Sequence, residues 1–277
     1  MGRRATKAEI KADFLAANPR CCFCNGERAS AELDHAPARI CFRQKQGPEG
    51  FVFPSCVQCN RAAAISEQVV AFLIRMMEPT SAYLDDRDID KLISGLINNT
   101  PAALPILNAI AAARIRNELP SGTADSVEER TLIIDPCVHD YVDVFVTKML
   151  YAIRYKVSGE FAGPKHRRWI MWAQVGTSSA RYLTGRAEAF FGELQVGQRV
   201  NVELGSQFQY RHGFNAAHGY LGLWMQFGEG LMLFSVLGPG QQMATIKGGE
   251  FKRYLPMREL GLRVNKRHQG RPWKIVA

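Results

Sequence analysis

The chain has 277 residues, of which 47% are hydrophobic and 22% are charged, and its formal net charge at pH 7 is +9. This composition is typical of a globular protein with enough sequence for a sizeable core, and it excludes a disordered chain. The sequence has no run of about 18 uncharged apolar residues and no apolar stretch typical of a signal peptide near its start, so we expect a cytoplasmic protein without a membrane span. The positive charge suits a polyanionic partner.

The N-terminal region predicts a helix followed by a β-hairpin. Residues 1–18 have a helical pattern that ends before Pro19. Asn25-Gly26 predicts a tight turn, because both residue types readily adopt the positive φ angles that such turns require. The strand that returns from this turn ends before Pro37. A basic loop at 39–50 then leads to a longer helix, which begins at the second cysteine pair and ends before Pro79.

Four cysteines occur in two pairs with the same spacing: Cys21 and Cys24, then Cys56 and Cys59. Because each pair can deliver two thiolates to a tetrahedral zinc ion, the pairs predict one structural zinc site. Cys22 is an alternative ligand, but Cys21 is preferred because its spacing to Cys24 matches the second pair. Seven cysteines without an export signal favour reduced thiols and metal binding over disulfides.

Asp34-His35 lies between the two pairs, and Asn60-Arg61 directly follows the second pair. Together with the flanking segments Cys21–Gly26, Glu32–Pro37 and Pro54–Arg61, this order resembles the HNH nucleases, also called ββα-metal or His-Me finger nucleases, over residues 19–78. It looks like a bacterial branch with an Asp-His-x-Pro segment, a basic loop and a Cys-x-x-Cys-Asn helix. The resemblance implies a β-hairpin-plus-helix module that hydrolyses phosphodiester bonds of nucleic acid, with DNA as the expected substrate.

The resemblance also implies roles for individual residues. His35 would be the general base, and Asp34 and Asn60 would coordinate one Mg²⁺ or Mn²⁺ ion. A neutral histidine accepts a proton near pH 7, and hard oxygen ligands suit such an ion. Phosphate contacts are expected from four cations that flank the site: Arg39, Arg43, Lys45 and Arg61.

Two positions depart from the HNH pattern. Phe51 occupies the place of the asparagine that normally orients the general base. Ala64, one helical turn after Asn60, cannot coordinate a metal, and Glu67 lies a further turn away. These departures leave a second hypothesis open: a catalytically degenerate, zinc-stabilised module that binds nucleic acid without cleaving it.

The predicted fold class is α+β, with the HNH-like module at residues 19–79. Residues 80–126 predict a helical connector, and residues 127–277 predict an α+β domain with a mainly antiparallel sheet and a basic tail. Its predicted strands are 168–175, 199–204, 207–212, 221–227 and 231–237.

Two basic stretches in this domain are further candidates for nucleic-acid contact. Residues 165–169 combine two arginines, a lysine and a histidine with a tryptophan. Residues 251–277 contain eight lysines or arginines and one glutamate, with Tyr254 and Trp273 among them. Both stretches are also compatible with an ordinary solvated surface.

Overall fold

The computed structural model describes residues 6–78, 87–100, 136–192, 196–198, 207–240 and 251–268. Over these ranges the chain is an α+β protein with antiparallel sheets, as the sequence predicts. No helix within the described ranges has the length and apolar character needed to cross a membrane.

The N-terminal elements are helix α1 (Lys7–Ala17), strands β1 (Glu32–His35) and β2 (Val52–Ser55), and helices α2 (Val57–Met77) and α3 (Arg87–Asn99). Thr6 caps α1: its side chain accepts a hydrogen bond from the N–H of Glu9, whose carboxylate accepts one from the N–H of Thr6. Strands β1 and β2 pair antiparallel, with His35 opposite Val52. A helix follows two paired strands, as predicted, but the strands are joined by residues 36–51, whereas the sequence predicted a hairpin with its turn at Asn25-Gly26.

The remaining elements begin with helix α4 (Pro136–Ser158), strand β3 (His166–Gln174), helix α5 (Ser178–Phe191) and strands β4 (Val196–Gln198) and β5 (Phe208–Asn215). They end with strands β6 (Tyr220–Phe227), β7 (Leu231–Pro239) and β8 (Lys252–Arg253) and helix α6 (Met257–His268). The six strands form one antiparallel sheet in the order β4-β5-β6-β7-β3-β8. This confirms the predicted antiparallel sheet, while the strand predicted at 199–204 lies outside the described residues.

Helices cover both faces of this sheet. Helix α5 packs on one face, where Trp169 and Phe234 belong to a separate apolar cluster. Helix α4 packs on the other face, and α2 and α6 pack against α4. This second core contains Phe23 and Phe53 of the cysteine-containing segment as well as Leu223 of the sheet. The N-terminal segment and the sheet thus share one core, while the boundaries predicted near residues 79 and 126 lie outside the described residues.

Helix α6 approaches the backbone of α2 closely at Gly261. A Cβ atom at this position would lie 2.2 Å from the carbonyl oxygen of Ala62, so a glycine is required for this packing distance. The same helix contributes Met257, Leu260 and Val264 to the core. Part of the predicted basic tail is therefore a packed helix, and residues 269–277 lie outside the described ranges.

Candidate metal centre and the adjoining ion network

The first cysteine pair lies on a tight turn that the local sequence favours. Asn25 and Gly26 have φ angles of 55° and 69°, in the left-handed region that asparagine and glycine adopt at low cost. The N–H of Gly26 donates to the carbonyl oxygen of Cys21 at 3.1 Å, which closes the turn. This turn brings the side chains of Cys21 and Cys24 toward the same point.

The second pair lies at the start of α2, with Cys56 just before the helix and Cys59 in its first turn. The sulfur atoms of all four cysteines lie within 4.8 Å of one another, and all four residues are buried. Sulfurs around a tetrahedral zinc are about 3.8 Å apart, because each Zn–S bond is about 2.3 Å long. The cluster therefore has the donor set and the size to hold a metal such as zinc. A site closed by four thiolates has no open position for a substrate.

Cys22, the alternative ligand in the sequence, does not belong to this cluster. Its side chain is fully buried, and burial is the main reason that its pKa is raised well above the ordinary value of a thiol. Cys41 and Cys137 are also buried, and neither forms a disulfide. The geometry therefore supports Cys21, in agreement with the preference drawn from its spacing.

Asp34 is buried and binds a lysine from the C-terminal region. The ammonium group of Lys148, on α4, donates to Oδ1 of Asp34 at 2.7 Å and also contacts Oε1 of Glu67 on α2. Asp34, Glu67 and Lys148 are only 5%, 9% and 1% exposed. The ammonium group thus lies between the two carboxylates, and Asp34 is not placed to hold a divalent ion at the surface.

Burial and charge pull the pKa values of this network in opposite directions. Burial lowers the pKa of Lys148, but the carboxylates of Asp34 and Glu67 outweigh it and raise this pKa above its ordinary value. Burial raises the pKa of Glu67 to about 7, although Lys148 acts to lower it. Oδ2 of Asp34 is buried and has no hydrogen-bond partner in the described part of the chain. Burial therefore favours the protonated form of Glu67 as the pH falls toward 7.

His35 ends β1 and is half-buried. Because successive strand residues point to opposite faces, His35 and Asp34 face different sides of β1. Burial and the nearby charge of Arg39 lower the pKa of His35, so its imidazole is neutral at pH 7. The N–H of Ala36 donates to the carbonyl oxygen of Phe51 at 3.2 Å. Where the HNH pattern has an asparagine side chain, Phe51 thus contributes its main chain to the end of β1 and buries its ring.

Asn60 lies in the first turns of α2, and its side-chain amide donates to Oε2 of Glu32 at 2.6 Å. Glu32 and Asp34 share one face of β1, and Asn60 and Glu67 share one face of α2. Asp34 binds Lys148 whereas Asn60 binds Glu32, so the two residues have different partners and are not joined through a common group. In the described ranges, the four cysteines are the single group of three or more His, Cys, Asp or Glu residues that converges on one point.

The four cations predicted to contact phosphate do not form one patch. Arg43 binds Glu78 at 3.1 Å, just beyond the C-terminal end of α2. Arg61 lies near the other end of this helix, about 25 Å away at 1.5 Å per residue. Arg39, Lys45 and Arg61 are exposed and make no ion pair with a described residue. Lys45 also lines a cavity of about 90 Å³ next to two further cations.

The ion network contains a residue that the sequence reasoning missed. Lys148 lies on α4 between Phe145 and Met149, two buried apolar residues of the same helix. A charged residue within a core-facing stripe is a signal, because a buried ammonium group requires buried partners. The sequence alone did not identify those partners.

No protein-family model, curated protein or solved structure matches this chain. The resemblance to HNH nucleases therefore rests on the sequence motifs alone.

Proposed function

We propose that this chain binds nucleic acid, with DNA as the expected partner, through a zinc-stabilised module similar to that of the HNH nucleases. The observation that carries the proposal is the β1–β2–α2 unit whose four buried cysteines converge within 4.8 Å. Cys21 and Cys24 would bind one zinc ion together with Cys56 and Cys59. The zinc would supply a cross-link between the turn before β1 and the start of α2, and no chemistry of its own.

The charge of the module supports a polyanionic partner. Besides the net charge of +9, the module carries exposed arginines that make no ion pair with a described residue. These are Arg20, Arg28, Arg39 and Arg61. Contacts between such side chains and phosphates release counterions from the nucleic acid, and this release supplies most of the affinity of sequence-independent binding.

The geometry favours binding over cleavage. The two expected ligands of a catalytic ion both have other partners, since Asp34 binds Lys148 and Asn60 binds Glu32. An ion at Asp34 would have to displace the ammonium group of Lys148, a residue that is 1% exposed, and this would leave the lysine buried without its counter-charge. The described side chains therefore do not fit the predicted Mg²⁺ or Mn²⁺ site.

A metal-dependent endonuclease is the second candidate, and the position of His35 favours it. This histidine ends the hairpin strand, is half-buried and lies near the exposed Arg39. A neutral imidazole next to a phosphate-binding cation is a suitable base for activating water. Cleavage would in addition require a rearrangement that separates Asp34 from Lys148.

Fluorescence anisotropy with a labelled 20-base-pair duplex tests the binding proposal. The variant Arg39→Gln/Arg61→Gln should bind more weakly than the parent, and its plot of log affinity against log salt should be shallower by about 0.9 per lost phosphate contact. The matched control Lys11→Gln removes one exposed charge on α1 and should leave this slope unchanged. Equal slopes for all three proteins would show that the module is not the binding surface.

A plasmid assay tests the second candidate. The parent protein is incubated with supercoiled plasmid and Mg²⁺ or Mn²⁺, in parallel with His35→Ala. The binding proposal predicts no nicking by either protein. Nicking by the parent that disappears in His35→Ala would establish the endonuclease instead.

A further inference from the structure

Strands β3 and β8 form one edge of the six-stranded sheet and place four cations in cross-strand pairs. Arg167 lies opposite Arg253, and Arg168 lies opposite Lys252. Directly opposed side chains point to the same face of a sheet, with Cβ atoms about 5 Å apart. Like charges at this separation destabilise the pairing of the strands, so a nearby negative charge would stabilise each pair.

The pair that faces α4 has its counter-charge within the protein. The carboxylate of Asp143 accepts a hydrogen bond from Nη2 of Arg168 at 2.8 Å, and Nζ of Lys252 lies 3.5 Å from the same oxygen. Arg168 and Asp143 are both buried. The charges of Arg168 and Lys252 are therefore offset by the carboxylate of Asp143 within the protein.

The pair on the other face has no such counter-charge within the described ranges. Arg253 is exposed and Arg167 is half-exposed. Nη1 of Arg167 donates to the carbonyl oxygen of His166 at 3.3 Å, which is an uncharged acceptor. Neither arginine forms an ion pair with a described carboxylate. The two guanidinium groups therefore present two positive charges on one face of the sheet edge.

We propose that Arg167 and Arg253 together bind a phosphate group, and that the β3–β8 edge is a second contact surface for nucleic acid. This inference rests on the proposed function and extends it from the zinc module to one edge of the six-stranded sheet. Guanidinium groups recognise phosphate through paired N–H donors, and two of them at this spacing can share one phosphate. A bound phosphate would also neutralise the repulsion between the two arginines.

Protection of the sheet edge is the competing explanation. Charged residues on a short edge strand discourage pairing with a second molecule, and Lys252 and Arg253 on β8 fit this pattern. Arg167 does not, because it lies on β3 and already pairs with β8 at this position. The opposed arginine on the inner strand therefore favours ligand binding.

The test measures duplex affinity at several salt concentrations and thermal melting for three proteins: the parent, Arg167→Gln/Arg253→Gln and Arg167→Lys/Arg253→Lys. The glutamine variant should show a shallower salt dependence, by about 0.9 per lost contact, and a melting temperature equal to or above that of the parent. The lysine variant retains both charges and should keep a slope close to the parental one.

Each other outcome overturns the inference. A parental slope in the glutamine variant would remove this edge from the binding surface while leaving the proposed function intact. No binding by the parent would overturn the proposed function as well. Self-association of the glutamine variant at an unchanged slope would assign the arginines to edge protection. A lower melting temperature would show that the pair stabilises the free protein and contradict the repulsion on which the inference depends.

Discussion

The ammonium nitrogen of Lys148 lies 2.7 Å from Oδ1 of Asp34, and this contact links residues 114 positions apart in the sequence. It joins the hairpin of the cysteine-containing segment to helix α4, in the core of the protein. Both groups are buried, so each depends on the other to offset the loss of hydration. The same contact is the main argument for proposing binding over cleavage, because it occupies the carboxylate that a catalytic ion would need.

Replacing Lys148 with methionine should destabilise the protein by about 3–5 kcal/mol, because Asp34 and Glu67 would remain buried without a counter-charge. Urea unfolding measures this change. The matched control is Asp34→Asn/Glu67→Gln/Lys148→Met, which removes all three charges and should recover most of the lost stability. A triple variant as unstable as the single one would show that packing, and not charge, accounts for the loss.

The raised pKa of Glu67 predicts a specific dependence of stability on pH. In the unfolded chain Glu67 titrates near 4.5, whereas in the folded protein it titrates at about 7. Between these values the folded protein holds the extra proton, so the contribution of Glu67 makes the free energy of unfolding decrease as the pH rises. Denaturant titrations at pH 5 and pH 8 measure how much the free energy of unfolding differs between these pH values. The variant Glu67→Gln should reduce this difference. An equal difference in the parent and in Glu67→Gln would assign the dependence to other groups.

Zinc should bind with a stoichiometry of one per chain and should require Cys59. The variant Cys59→Ser should contain no zinc and should melt at a much lower temperature, because structural zinc sites contribute on the order of 10 kcal/mol of binding energy coupled to folding. Elemental analysis and thermal melting measure the two effects. Cys22→Ser, which alters a buried cysteine outside the cluster, should retain one zinc. A zinc-free Cys22→Ser protein would contradict the assignment of Cys21.

The contact between α6 and α2 predicts opposite effects for two glycine substitutions. Gly261→Ala should destabilise the protein by about 1–3 kcal/mol, because the added methyl group would overlap the carbonyl oxygen of Ala62. Gly185→Ala, on the exposed side of α5, meets no atom within 4 Å and should stabilise the protein by about 0.4–1 kcal/mol. Chemical denaturation measures both. A Gly261→Ala variant as stable as the parent would mean that α6 does not pack on α2 at this distance.

Signals that act over short stretches of sequence predicted several local features of the N-terminal segment, but not the pairing of β1 with β2. Asn25-Gly26 specified the turn between Cys21 and β1, because these residue types alone tolerate its φ angles at low cost. The spacing of the cysteines indicated a four-sulfur cluster, and the four sulfurs converge as that spacing implies. The predicted strands likewise indicated a mainly antiparallel sheet.

Contacts between distant parts of the chain could not be predicted in this way. The sequence suggested that Asp34 would bind a divalent ion, but its partner is a lysine supplied by α4. Arg43 was grouped with Arg61, yet its ion pair with Glu78 holds it near the other end of α2. In both cases the outcome depends on how helices pack in three dimensions, and the spacing of residues along the chain does not contain this information.

The most direct test of the account is the affinity of the parent protein for a 20-base-pair duplex between 50 and 200 mM salt. We predict measurable binding at 50 mM salt, with log affinity falling linearly as log salt rises, because exposed arginines on the zinc module and on the β3–β8 edge displace counterions from phosphates. Absence of binding at 50 mM salt, or an affinity that does not change over this range, would contradict the proposed function.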